Sequence, residues 1–161
     1  VLENVRIAVQ ARHDPGFDIW SLATRRRDLI EMAEPHLSRT GLLDRMDAQT
    51  AALSHGDQRK LEVAVLLALE AEVLMFDEPT AGMSVDEVPV VLDLIHEIKA
   101  DTSKTVLLVE HKMDVVRSLA DRIIVLHNGA LVADGAPETV IASDIVQQAY
   151  LGTAGTGGGH G

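Results

Sequence analysis

The segment LSHGDQRKLEVAVLLALEAEVLMFDEPTAG, from Leu53 to Gly82, places a capped helix ahead of a short apolar run that ends in two carboxylates. Ser54 followed by Asp57 reads as an N-cap with an acidic residue in the first turn, and Leu61, Val65 and Ala68 continue at helical spacing. Val73 to Phe76 is a run of apolar residues with acidic neighbours and Pro-Thr-Ala-Gly beyond, which suits a strand buried on both faces. Such a strand needs a layer on each side, and so belongs in a parallel sheet with crossover helices. The sequence downstream agrees. Residues 86 to 100 carry Val88, Val91, Leu92, Ile95 and Ile98 at helical spacing, with Pro89 tolerable only in the first turn. Thr105 to Val109 forms a second buried strand. The chain therefore reads as an α/β protein whose site lies past the carboxyl ends of its parallel strands.

The flanking sequence adds a helical pattern at 21–38, with Leu29, Ile30, Ala33 and Leu37 on one face. Pro35 is expected to interrupt or restart that helix, and Gly41 to end it. Arg25, Arg26 and Arg27 read as a solvated helix face. After the second strand come a short helix at 113–119 and a hairpin from Arg122–Leu126 to Ala130–Asp134. Its turn, Asn128-Gly129, favours a primed type. Two short helices near 137–142 and 143–150 complete the pattern. Residues 152–161 are dominated by glycine and are expected to be disordered.

Composition narrows the function classes. With 161 residues, 47% of them hydrophobic, the chain can bury the core of one domain. A net charge of −11, spread along the elements, argues against a nucleic-acid groove. There is no cysteine, so disulfides and thiolate metal sites are excluded. No apolar run approaches the roughly 20 residues needed to span a bilayer. No H-E-x-x-H or Cys/His cluster suggests a transition metal.

The candidate site residues follow from what each position can do. A carboxylate at the end of a buried strand, here Asp77, can hold Mg²⁺ directly or through water without flexing. Glu78, one residue on, points differently and can polarise an attacking water. Ser54 and Gly56 open a helix whose dipole and free N–H groups favour an anion, and Gly56 permits close backbone approach. His111 stands just beyond the second strand on the same sheet edge as Asp77, where it can donate to a terminal phosphate. Together these features point to chemistry on a nucleotide phosphate.

These residues, in this order, resemble the ATP-binding-cassette (ABC) ATPases from about Val1 to Gly152. LSHGDQRKLEVA is similar to the signature motif, VLMFDEP to the Walker B strand, AGMS to the D-loop and VEHKMD to the switch-histidine loop. VLENVRIA, DRIIVLHNGALVADGAPETV and QQAYLG look most like the ATPase subunits of branched-chain amino-acid importers. The resemblance implies part of a P-loop NTPase core, a parallel sheet plus a helical subdomain, without its amino-terminal strands and phosphate loop. It divides the chain into the end of a preceding core segment (1–12), a helical subdomain ending in the signature helix (13–68), the carboxyl-terminal half of the core (69–152) and the tail (153–161).

The resemblance also implies roles and partners. Asp77 would bind the Mg²⁺–ATP complex, Glu78 would be the general base, and His111 would contact the γ-phosphate. Ser54, Gly56 and Gln58 would reach the γ-phosphate of ATP held by a second ATPase subunit. The expected setting is the cytoplasmic face of the membrane, against permease subunits and indirectly a solute-binding protein, with no nucleic acid. Asp57 and Ser84 depart from the commonest signature and D-loop, both at the dimer contact. No G-x-x-x-x-G-K-[ST] occurs in the sequence. The isolated chain is therefore expected to bind Mg-ATP negligibly and not to hydrolyse it, and its sheet to expose an apolar edge. The alternatives are a non-catalytic piece that lends only its signature face to a partner ATPase, and the ATPase of a urea or amide importer.

Overall fold

A computed structural model describes residues 1–13 and 22–151. The glycine-dominated tail and the side chains of Arg25 and Arg26 lie outside the described part. The chain divides into two compact units, Val1–Val109 and Glu110–Gly161.

The first unit begins with a helical layer. Helices α1 (Leu2–His13), α2 (Leu22–Arg39) and α3 (His55–Ala68) pack on one another around Val5, Val9, Leu29, Ala33, Leu37, Leu42, Leu61 and Ala64. Two 3₁₀ turns, Leu43–Arg45 and Thr50–Ala52, join α2 to α3. Of the apolar residues expected inside on α2, Leu29, Ala33 and Leu37 are buried and Ile30 is half-buried. Helix α2 runs through Pro35 without a break, contrary to expectation. Pro35 lies on the exposed side of the helix, with Glu31 exposed four residues before it, where proline costs a helix less than on the packed side.

Gly41 ends α2 as expected, with φ +70°. The Gly41 N–H donates to the Ser38 carbonyl at 3.0 Å and the Leu42 N–H to the Leu37 carbonyl at 2.8 Å. This is a Schellman closure, and its apolar pair, Leu37 and Leu42, is fully buried.

The sheet of this unit is two parallel strands, β1 (Val73–Asp77) and β2 (Thr105–Val109), in register from Val73 opposite Thr105 to Asp77 opposite Val109. Helix α4 (Val88–Ala100) connects them, with its proline in the first turn and Val91, Leu94, Ile95 and Ile98 buried. Sequence and structure part company on the strands' surroundings. Leu74 (1% exposed) and Phe76 (7%) alternate with Val73 (61%) and Met75 (67%), so β1 is covered on one face. Leu107 and Val109 continue the uncovered face on β2. Among the described residues of this unit no second layer lies over it. A run of consecutive apolar residues fits one-sided burial as well as two-sided burial, which is why the sequence misleads here.

The second unit contains α5 (Met113–Leu119), the hairpin β3 (Ile123–His127) and β4 (Ala130–Gly135), α6 (Pro137–Ile141) and α7 (Asp144–Leu151). Asn128 (φ +50°) and Gly129 (φ +77°) make the expected primed turn. Pairing shifts register between Val125 and Leu126. Before that bulge, Arg122 grips Asp134 with two bonds of 2.7 Å. Ile123, Val140 and Val146 form the small core.

Candidate functional site

The amino-terminal end of α3 is built as its sequence predicts. Ser54 is the N-cap in extended conformation, and its hydroxyl accepts from the Asp57 N–H at 3.1 Å. Gly56 is buried in the first turn. The Gln58 amide nitrogen donates to the Leu53 carbonyl at 3.2 Å, which ties it to the chain entering the helix. Lys60 pairs with Asp57 at 3.0 Å.

A residue not singled out from sequence completes this end. Glu87, just before α4, accepts from the Ser84 N–H at 3.1 Å and the Ser84 hydroxyl at 2.9 Å. Its other oxygen accepts from the Ser54 hydroxyl at 3.3 Å. The carboxylate lies so close to Gly56 that a Cβ there would overlap it. Ser84's backbone N–H, then its hydroxyl, Ser54's hydroxyl and the charge of Lys60 hold the Glu87 carboxyl below its ordinary range. The signal was present in the sequence as the spacing S-x-x-E from Ser84 to Glu87, a capping box ahead of α4.

Asp77 and Glu78 stand together at the carboxyl end of β1, both exposed. The Glu78 N–H donates to the Val109 carbonyl at 2.9 Å and so extends the parallel ladder by one bond. Its φ is +45°, a left-handed conformation that costs a non-glycine residue about 1–2 kcal/mol. The backbone therefore turns sharply after Asp77. Pro79 and the almost fully buried Thr80 anchor the turn. Asp77 borders a recess of about 80 Å³ shared with Arg59, Glu62 and Val63 of α3 and Val91 of α4. No hydrogen bond joins Asp77 to Ser54, Gly56 or Gln58 among the described residues.

The donor chemistry at Asp77 suits Mg²⁺. That ion takes one or two carboxylates together with phosphate oxygens and water, and does not need an all-protein cage. Among the described residues no cluster of three or more His, Asp or Glu side chains forms such a cage.

His111 lies in the second unit, two residues beyond the end of β2, with 64% of its side chain exposed. The preceding Glu110 side chain is buried and accepts from the His111 N–H at 2.9 Å and the Lys112 N–H at 3.1 Å. Two backbone donors on one carboxylate fix the loop that carries the histidine. Glu110 was also missed from sequence, where a single acid before a histidine carries little signal.

Residues 2–81 match the family model described as ABC transporter. The chain is 35% identical over 159 residues to the high-affinity branched-chain amino acid transport ATP-binding protein LivG of Escherichia coli K12, across 96% of this chain and 62% of that protein. It is 37% identical over 128 residues to BraF of Pseudomonas aeruginosa, a protein of the same description, across 80% of this chain and 50% of BraF. The chain thus spans between half and two thirds of the length of these relatives. In fold it is similar to a nucleotide-free ATP-binding cassette from an ABC transporter, with TM-score 0.72 and 23% identity over 92% of this chain and 61% of that one.

Proposed function

The chain belongs to the ABC transporter family, and from that premise we propose that it forms the signature and carboxylate part of an ATP-hydrolysing subunit that drives import of branched-chain amino acids. The observation that carries this reading is the Asp77-Glu78 pair at the open end of parallel strand β1, which follows a helix capped by Ser54, whose hydroxyl donates to the Glu87 carboxylate.

In this reading Asp77 holds Mg²⁺, which neutralises charge on the β- and γ-phosphates when bound. Glu78 accepts a proton from the attacking water, and the turn at its positive φ fixes its position against Asp77. His111 donates a hydrogen bond to the γ-phosphate from the loop that Glu110 pins. Ser54, Gly56 and Gln58 face the γ-phosphate of ATP held by a second ATPase subunit, so the working unit is a dimer. ATP closes the dimer and hydrolysis reopens it, moving permease subunits at the cytoplasmic face of the membrane. The phosphate loop's N–H groups and lysine supply most of a P-loop protein's hold on the β- and γ-phosphates, and this sequence has no such motif. The 161 residues alone are therefore expected to bind Mg-ATP negligibly, which calorimetry on the isolated chain checks.

The decisive experiment uses the complete ATPase subunit with its permease. Glu78→Gln should lower turnover by about 10²- to 10⁴-fold while ATP binding is retained. Unchanged turnover would remove Glu78 from the role of base. Uptake of labelled leucine against labelled urea by the same assembly decides the solute.

A further inference from the structure

We propose that Glu87 is a resident anion at the amino-terminal end of α3, and that a nucleotide phosphate reaches Ser54 and Gly56 only by displacing it. This rests on the reading of that helix end as the face presented to a second subunit's ATP.

Three donors converge on the Glu87 carboxylate: the Ser84 N–H at 3.1 Å, the Ser84 hydroxyl at 2.9 Å and the Ser54 hydroxyl at 3.3 Å. The carboxylate rests where a side chain on Gly56 would begin. A carboxylate and a phosphate are both oxyanions that seek donors of this kind, and two such anions repel at contact distance. Phosphate binding at α3 is therefore an exchange. The Ser54 hydroxyl turns from Glu87 to the phosphate, and Glu87 leaves the face of Gly56.

The exchange has a second consequence, because Glu87 also caps the turn that starts at Ser84. That turn leads from the Asp77-Glu78 end of β1 into α4. Displacement at α3 thus alters the restraint on the segment following the catalytic carboxylates in the same chain. Glu87 acts as a positioning residue that links the two. It also raises the ATP concentration needed for closure, because ATP must compete with it.

The test uses the complete subunit carrying Glu78→Gln, so that bound ATP is not consumed, and follows ATP-dependent dimerisation by light scattering. Glu87→Gln keeps an acceptor for Ser84 and removes the charge. It should lower the half-saturating ATP concentration about 3- to 10-fold, the effect of losing one charge-assisted hydrogen bond. In the subunit with Glu78 intact, Glu87→Gln should lower KM for ATP by a larger factor than it changes kcat, a split that a purely structural cap would not give. As a measurement without a substitution at 87, the amide resonances of Gly56 and Ser84 should shift together with one midpoint as ATP is added. Ser54→Arg is the control and should abolish dimerisation. If Ser54→Arg dimerises normally, the phosphate-facing role of α3 falls, and this proposal with it. If Ser54→Arg fails to dimerise while Glu87→Gln leaves the midpoint unchanged or raised, or Ser84 stays still while Gly56 shifts, the displacement idea alone is wrong.

Discussion

The helical layer and the two-stranded sheet belong to one unit and are built to different standards of closure. In the layer, α1, α2 and α3 close around Leu37, Leu42 and Val5, none of which has any exposed surface. In the sheet, one face is packed and the other shows Val73, Met75, Leu107 and Val109 to solvent. The candidate carboxylates, Asp77 and Glu78, lie at the end of the half-covered element, and the exposed Ser54 with the buried Gly56 beside it lies at one end of a helix of the closed one. Closure supplies stability, and the chemistry sits where closure stops.

The contrast is sharpest in the response to truncation of an apolar side chain. Leu37→Ala should destabilise the fold by about 2–5 kcal/mol, because it removes buried methyl groups and the apolar half of the Schellman closure. Urea unfolding of the two proteins measures this, and a loss below about 1 kcal/mol would mean the layer is not the stable part.

A pH effect separates the same regions at smaller amplitude. His36, on α2, is held below its ordinary value of about 6.5. Burial is the main cause, followed by the positive charge of Arg39, with Glu70 opposing. The unfolded chain then takes up the proton first as pH falls, so stability is full above about 6.5 and declines as pH drops through that value. Melting temperatures at pH 7.5 and 5.5 should differ less for His36→Gln than for the unaltered chain, and equal differences would discount His36. Glu87, Asp101 and Asp134 are depressed carboxylates. Their contribution is present above the ordinary carboxylate range and is lost only below about pH 4.5, which keeps the two windows apart.

The smallest effect belongs to the open face. Met75→Gln should change stability by no more than about 0.5 kcal/mol and should reduce self-association seen by light scattering, since it breaks an exposed apolar patch. A loss comparable to that of Leu37→Ala would show that this face is covered in solution.

The elements themselves were largely legible, because their signals are local. Ser54 as N-cap, Gly41 as a left-handed helix end, Pro89 in a first turn and Asn128-Gly129 as a primed turn each follow from backbone chemistry at one or two residues. Layering was not legible. Val73 to Phe76 reads the same whether one or two layers cover it, and only the partners in space decide. Pro35 misled because the penalty for proline in a helix depends on which side it occupies, and here both Pro35 and Glu31 are on the exposed side. Of the candidate site, the residue types and their places at element ends could be read. The meeting of Glu87 with Ser54, 33 positions apart, could not, since a capping box does not reveal what else its carboxylate touches.

The parallel pairing of β1 with β2 also bears on how the chain is made. The described helical layer ends at Ala68, but β1 meets its described partner, β2, only once Val109 is free. At roughly 5–20 residues per second, that interval lasts about 2–8 seconds of synthesis. For most of it a nascent Val-Leu-Met-Phe segment lacks the β2 ladder, which makes this a stretch where a chaperone has work to do.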